Sequence, residues 1–266
     1  MMIRKPLAIC AILVLACAAV HAGWWNRSTP AKTNLTMMAA SSLTEAFTDL
    51  GNRFQKIYTT TQIKSSFAGT QELRVQVQQG AYCDVFASAS KDDMDALVKA
   101  GLVKNPKVFA YNRLCLVTYP RQSKVAHLSD LSKPGVKLIV GVPNSPIGKY
   151  TVQTFQKMAA DADYGAAFVS KMKANVVSEE TNVKLVLTKV KLGEADAGFV
   201  YASDAIGQSV KVITLPQDVR VKATYLIGLG ARSKQPAWAQ YLINYLLGPS
   251  GTGILKARGF EPAHAG

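Results

Sequence analysis

Leu35-Thr36-Met37-Met38-Ala39-Ala40-Ser41-Ser42-Leu43-Thr44-Glu45-Ala46-Phe47 decides the fold. Leu35 to Ala40 reads as a short buried strand. From Ser42 to Ile57, Leu43, Ala46, Phe47, Leu50, Phe54 and Ile57 then recur at helical spacing, which places them on one core-facing side of a helix. A strand that passes through serines into an amphipathic helix is the unit of α/β layering around a largely parallel sheet.

Outward from that unit the same change of period repeats. Gln62 to Phe67 reads as a strand, Gln71 to Gln79 as a helix stopped by Gly80, Asp84 to Ser88 as a buried strand and Lys91 to Lys99 as a helix. Arg113 to Tyr119 reads as a strand ending at Pro120, after which the pattern restarts. Strand Lys137 to Val142, helices Tyr150 to Met158 and Asn182 to Lys191, and strand Ala197 to Tyr201 make up a second unit. Strand Thr224 to Ala231 and helix Trp238 to Leu247 are too short for a third domain and too apolar for a tail, so they are expected to return to the first unit. The expected division is 1–22 as an export signal, 23–117 with 223–266 as lobe I, and 118–222 as lobe II. Two chain crossings would form a hinge able to close on a ligand.

The amino terminus sets the compartment. Arg4 and Lys5 precede an apolar run from Pro6 to Val20, and Val20-His21-Ala22 is a small-x-small exit, the pattern of a cleaved secretory signal. The run is shorter than the roughly 20 apolar residues of a spanning helix. Val14-Leu15-Ala16-Cys17 loosely matches a lipobox, so a lipoprotein anchor is the alternative. Cleavage after Ala22 removes two basic residues and no acid, taking the formal charge from +14 to +12. A basic exported protein suits an anionic small molecule better than nucleic acid, and the lysines (Lys91, Lys99, Lys104, Lys107, Lys124) are scattered rather than gathered in a stripe. The mature chain keeps Cys83 and Cys115, which either pair as a disulfide in an oxidising compartment or serve as two small buried hydrophobes.

Four places share one design, in which a strand ends, small or hydroxyl residues follow and a helix begins: Ala40-Ser41-Ser42, Ala68-Gly69-Thr70, Pro146-Ile147-Gly148 and Thr181-Asn182-Val183. Helix starts leave N–H groups unpaired and carry partial positive charge, so several of them facing one cleft can hold an anion without any formal cation. Each also has a purely local reading. Ser42-Leu43-Thr44-Glu45 is a capping box, Thr70 a possible N-cap, and Tyr201 a strand-end tyrosine that closes the core.

In their order and spacing, Met38-Ala39-Ala40-Ser41-Ser42-Leu43, Ser65-Ser66-Phe67-Ala68-Gly69-Thr70, Cys83-Asp84-Val85-Phe86-Ala87-Ser88-Ala89, Pro146-Ile147-Gly148-Lys149-Tyr150, Asn182-Val183, Gly198-Phe199-Val200-Tyr201-Ala202-Ser203-Asp204-Ala205 and Lys256-Ala257-Arg258-Gly259-Phe260 resemble the periplasmic molybdate-binding proteins of ABC importers. The resemblance spans nearly the whole mature chain. It implies a two-lobe α/β fold of the periplasmic binding-protein type (type II), each lobe a mostly parallel sheet flanked by helices, with a two-stranded hinge. It also implies capture of molybdate or tungstate, no cofactor and no direct protein–metal bond, a monomer, and delivery to an importer permease at the inner membrane. Carried over by motif, the ligand set is the hydroxyls of Ser42, Thr70 and Tyr201 with the amides of Ile147 and Val183. Thr70 stands where many members have serine, and Ile147 where a smaller residue is usual.

A receptor for sulfate, phosphate or a ferric complex is the alternative within the binding class, although ferric receptors usually place tyrosines together. An exported hydrolase is the alternative outside it. His127 and His264 stand in no nucleophile or metal spacing, and the sequence has no G-x-S-x-G, H-E-x-x-H or C-x-x-C.

Overall fold

The computed structural model describes residues 32–121 and 123–263. The signal segment, its lipobox alternative and His264 lie outside the described residues. In chain order the elements are β1 (Thr33–Ala40), a 3-10 turn (Ser41–Leu43), α1 (Thr44–Ile57), β2 (Thr61–Ala68), α2 (Thr70–Gln78), β3 (Val85–Ser88), α3 (Lys91–Lys99) and β4 (Val103–Thr118). They continue with β5 (Leu138–Gly141), α4 (Pro146–Ala160), α5 (Gly165–Ala174), β6 (Val176–Glu180), α6 (Val183–Lys191), β7 (Ala197–Tyr201), α7 (Ala202–Ala205), β8 (Lys211–Thr214), β9 (Lys222–Gly230), α8 (Pro236–Leu247), α9 (Pro249–Ala257) and β10 (Glu261–Pro262).

The strands lie in the order β2-β1-β3-β9-β4-β7-β5-β6, with β8 and β10 also on β4. Both ends of this order are parallel: β1 with β2 and β3, and β5 with β6 and β7. The middle is antiparallel, because β9 and β4 return through it. β4 is far longer than the strand read from Arg113 to Tyr119. Its first part, up to Arg113, pairs with β9, and from Leu114 onward it pairs with β7 and β8. One strand therefore runs through both halves of the sheet, and the segment between β8 and β9 brings the chain back.

Register places the carboxyl ends of the parallel strands together. Ala40 lies beside Ala68 and Ala39 beside Ala87, so the segments that follow β1, β2 and β3 leave one edge side by side. In the other half, β5, β6 and β7 end at the same level, and Leu114 pairs with Tyr201 one residue after Arg113 pairs with Lys222. Tyr201 thus sits where β4 passes between the halves.

The core follows the apolar periodicity. Ala46, Phe47, Leu50 and Phe54 of α1 are buried with Leu35, Met37 and Ala39 of β1. Ile57, expected on the same face, is instead 59% exposed as the last residue of α1, although Phe54 in the same turn is buried. A second, smaller cluster gathers Leu73 and Val77 of α2 with Met94 and Leu97 of α3. Cys83 and Cys115 are both buried free thiols, one in each cluster. Burial pushes both thiols up to about 12, so neither is a thiolate at neutral pH.

Candidate functional site

Ser42, Thr70, Ile147, Val183 and Tyr201 line one cavity at the carboxyl ends of the strands, together with Ser41, Gly69 and Asn182. The cavity encloses about 210 Å³ of space including its open mouth. It suits a compact solute. No charged side chain lines it among the described residues.

Two helix starts supply its amides. Ser145 caps α4 by accepting from the Gly148 N–H at 3.1 Å, and Pro146, the first helical residue, has no N–H to offer. Ile147 is left as a first-turn donor with no intrahelical carbonyl to serve it. Asn182 caps α6 by accepting from Lys184 N (3.1 Å) and Leu185 N (3.3 Å), which leaves the Val183 N–H in the same position. Gly148 must be glycine for this start to form, since a Cβ there would lie 1.9 Å from the Val142 carbonyl oxygen.

The capping-box reading of Ser42 and Glu45 does not hold. Neither the 3-10 turn nor α1 has a side-chain cap. Ser42 Oγ lies 2.9 Å from the Tyr225 hydroxyl, and Glu45 binds Lys184 Nζ at 2.7 and 2.8 Å. Thr70 is not an N-cap either. It is the first residue of α2, and its fully buried hydroxyl accepts from the Ala89 N–H at 3.2 Å. That bond uses an acceptor lone pair and leaves the O–H free to donate.

Tyr201 packs edge-to-face between Tyr150 (6.2 Å between ring centroids) and Tyr225 (5.9 Å). Its hydroxyl is buried without a hydrogen-bond partner. Burial pushes the Tyr201 and Tyr225 phenols well above their ordinary value, so both remain neutral donors. Tyr150 is engaged elsewhere, accepting from the Thr224 N–H at 3.1 Å. The stacking that makes Tyr201 a core residue and the unused hydroxyl that makes it a donor occur in the same side chain.

Sequence reasoning found the cavity-lining residues and missed what surrounds them. Gln71 Nε2 donates to the Thr181 carbonyl at 2.8 Å, which joins α2 to the segment before α6. Lys184 Nζ lies 3.0 Å from Oδ1 of the fully buried Asp204 carboxylate, a charge contact rather than a hydrogen bond since neither Asp204 oxygen has a hydrogen-bond partner, as well as against Glu45. Lys149 reaches Asp92 at 3.0 Å on the rim. Two signals were available in the sequence: a lysine in the first turn of a helix, where the macrodipole disfavours it, and an aspartate directly after the apolar run of β7. Tyr225, inside an apolar strand, gave none.

Residues 35–261 match the family model for the bacterial extracellular solute-binding protein. The chain is 36% identical over 231 residues to the molybdate-binding protein ModA of Mycobacterium tuberculosis, a match covering 85% of this chain and 84% of the relative. Among solved structures, the periplasmic molybdate-binding protein of Azotobacter vinelandii superposes with a TM-score of 0.73 at 19% identity, covering 85% of this chain and 98% of that one. The sulfate-binding protein SubI of M. tuberculosis superposes equally well, with a TM-score of 0.73, 19% identity and 87% of both chains covered. These likenesses share the two-lobe α/β architecture read from the sequence, and the chain belongs to the bacterial extracellular solute-binding protein family.

Proposed function

We propose that the protein is an extracytoplasmic receptor that binds molybdate, and with it tungstate, and delivers the anion to the permease of an ABC importer. In this reading residues 1–22 are removed on export, lobe I is 23–117 with 223–266, lobe II is 118–222, and the mature protein acts as a monomer without catalysis. Ser42 and Thr70 come from the first lobe; Ile147, Val183 and Tyr201 come from the second.

One observation carries the reading. The buried, unpartnered Tyr201 hydroxyl opens on a cavity rimmed by first-turn amides and free of charged side chains. Such a site offers donors and almost no acceptors, so it suits a fully deprotonated oxyanion and penalises a protonated one. A dianion leaving water needs many short hydrogen bonds, which neither lobe supplies alone. Molybdate is favoured by the 36% identity to a molybdate-binding relative, whereas the likeness to the sulfate-binding structure is one of fold.

Titration calorimetry of the mature chain against molybdate, tungstate, sulfate and phosphate tests this. The expected outcome is tight, similar binding of the first two and far weaker binding of sulfate. Equal affinity for sulfate and molybdate would establish the sulfate-receptor alternative, and binding of none of the four would overturn the oxyanion reading.

A further inference from the structure

Lys184 stands where helix energetics disfavour a cation. It is the second residue of α6, whose amino-terminal end carries partial positive charge and normally attracts acids. Its position is made tenable by two carboxylates from different parts of the fold. Glu45 projects from α1, on the β1–β2 side of the sheet, and Asp204 from α7, which follows β7. The Asp204 side chain has no solvent exposure, so its charge is compensated from inside the protein.

Each of the three residues closely follows a residue of the anion site in the chain. Glu45 lies three residues after Ser42, Lys184 one after Val183, and Asp204 three after Tyr201. A single ammonium group therefore ties together three of the elements that supply the site, drawn from both sides of the cleft. The Lys149–Asp92 pair is more open to solvent: Asp92 is 77% and Lys149 32% exposed, against 40% for Glu45 and 24% for Lys184, so screening weakens it more than the partly exposed Glu45 arm.

We propose that Lys184 is the clamp that holds the two lobes closed over the bound anion, with Glu45 as its first-lobe partner and Asp204 as its anchor in the second lobe. The clamp rests on the reading of the cavity as an oxyanion site. Opening the cleft separates Glu45 from Lys184 but leaves the Lys184–Asp204 pair within one lobe, so the Glu45 arm forms only in the closed state. An interaction made only after closure slows release and leaves the encounter with the anion unchanged.

Stopped-flow kinetics and calorimetry with molybdate on the full mature chain test the clamp through Glu45→Gln, Lys184→Met and Lys184→Arg. Glu45→Gln breaks the cross-cleft arm and leaves the buried pair intact, so it is the variant that folds as the parent does. Its dissociation rate should rise about 3- to 10-fold, with association within about twofold of the parent. Lys184→Met should release at least as fast, and Lys184→Arg should recover most of the parent rate. The Glu45→Gln/Lys184→Met double variant should be no faster than Lys184→Met alone, because both changes remove one interaction. If the parent binds molybdate and the Glu45→Gln and Lys184→Met variants release it at the parent rate, the clamp is overturned while the binding function stands. If the parent binds no oxyanion, the functional reading falls and the clamp falls with it.

Discussion

Ser42 and Tyr225, 183 residues apart in the chain, meet hydroxyl to hydroxyl at 2.9 Å beneath the cavity. A hydroxyl has one proton and two lone pairs, so whichever group donates decides what the other can still offer. An anion accepts only. For Ser42 to donate to it, Tyr225 must donate to Ser42. Tyr225 thereby sets the direction in which the Ser42 hydroxyl points.

Tyr225→Phe therefore frees Ser42 to rotate and leaves the ring packing against Tyr201, Phe109 and Phe260 in place. The expected cost is one neutral hydrogen bond, about 1 kcal/mol, or roughly a fivefold weaker molybdate affinity by calorimetry. Affinity equal to that of the parent would show that Ser42 is oriented by other contacts.

Gly69 marks how closely the two sides of the cleft approach. A Cβ there would lie 2.7 Å from the Gln71 side chain and 2.8 Å from the Thr181 carbonyl oxygen. The glutamine can swing aside, but the carbonyl belongs to the backbone across the cleft. The φ of −58° and ψ of 137° at Gly69 suit any residue, so Gly69→Ala costs no backbone strain of its own. The variant should melt within a few degrees of the parent when empty, bind molybdate at least tenfold more weakly, and keep a larger radius of gyration in saturating ligand. Parent-like affinity and compaction by small-angle scattering would show that the two sides close without this contact.

The strand-to-helix transitions were legible because each is written locally, in an apolar run, a hydroxyl or glycine, and then helical periodicity. They located the segments that hold Ser42, Thr70, Ile147 and Val183, while the choice of residue within each came from the resemblance to the molybdate-binding proteins, and register brought the segments together. The long β4 was not legible as a unit. Asn105-Pro106 near its start reads as a break, and it does fall inside a register shift between Lys104 and Lys107, yet pairing with β9 resumes beyond it and continues past a second shift between Val108 and Ala110. The sequence also suggests ordinary roles for Ser42 and Glu45, since a capping box uses neighbours three residues apart. Their actual partners, Tyr225 and Lys184, lie more than a hundred residues away, where periodicity carries no information.

Asp204 gives the pH dependence a sign. Burial is the largest influence on it and raises its pKa from 3.8 to about 6, against the opposing pull of Lys184. Glu45 of α1, Tyr201 of β7, Tyr225 of β9 and Cys115 of β4 also face it electrostatically. Between about pH 4 and 6 the folded protein holds a proton that the unfolded chain has released, so this group's contribution to stability falls as pH rises through that window and is level above it. At ~1.36 kcal/mol per pKa unit the loss is about 3 kcal/mol. Asp204→Asn cannot titrate, and its melting temperature relative to the parent should therefore climb by roughly 5 °C or more from pH 4 to pH 7. A constant difference across that range would mean that Asp204 stays ionised in the folded protein.

Tyr201 joins stability to binding. In the closed structure its hydroxyl has no hydrogen-bond partner within the protein, while its ring is held between Tyr150 and Tyr225. Tyr201→Phe keeps the ring and deletes only the hydroxyl, so without anion the variant should melt within a few degrees of the parent. The response of the liganded protein should be larger. A hydrogen bond to a charged acceptor is worth roughly 1.5–3 kcal/mol, and its loss should weaken molybdate binding by about one to two decades. A tyrosine that only filled the core would leave affinity untouched, and one whose hydroxyl supported the fold would lower the melting temperature of the empty protein. An unchanged melting temperature without anion, together with weaker binding, is the combination expected of an anion donor, and calorimetry beside thermal melts of the one variant reads both.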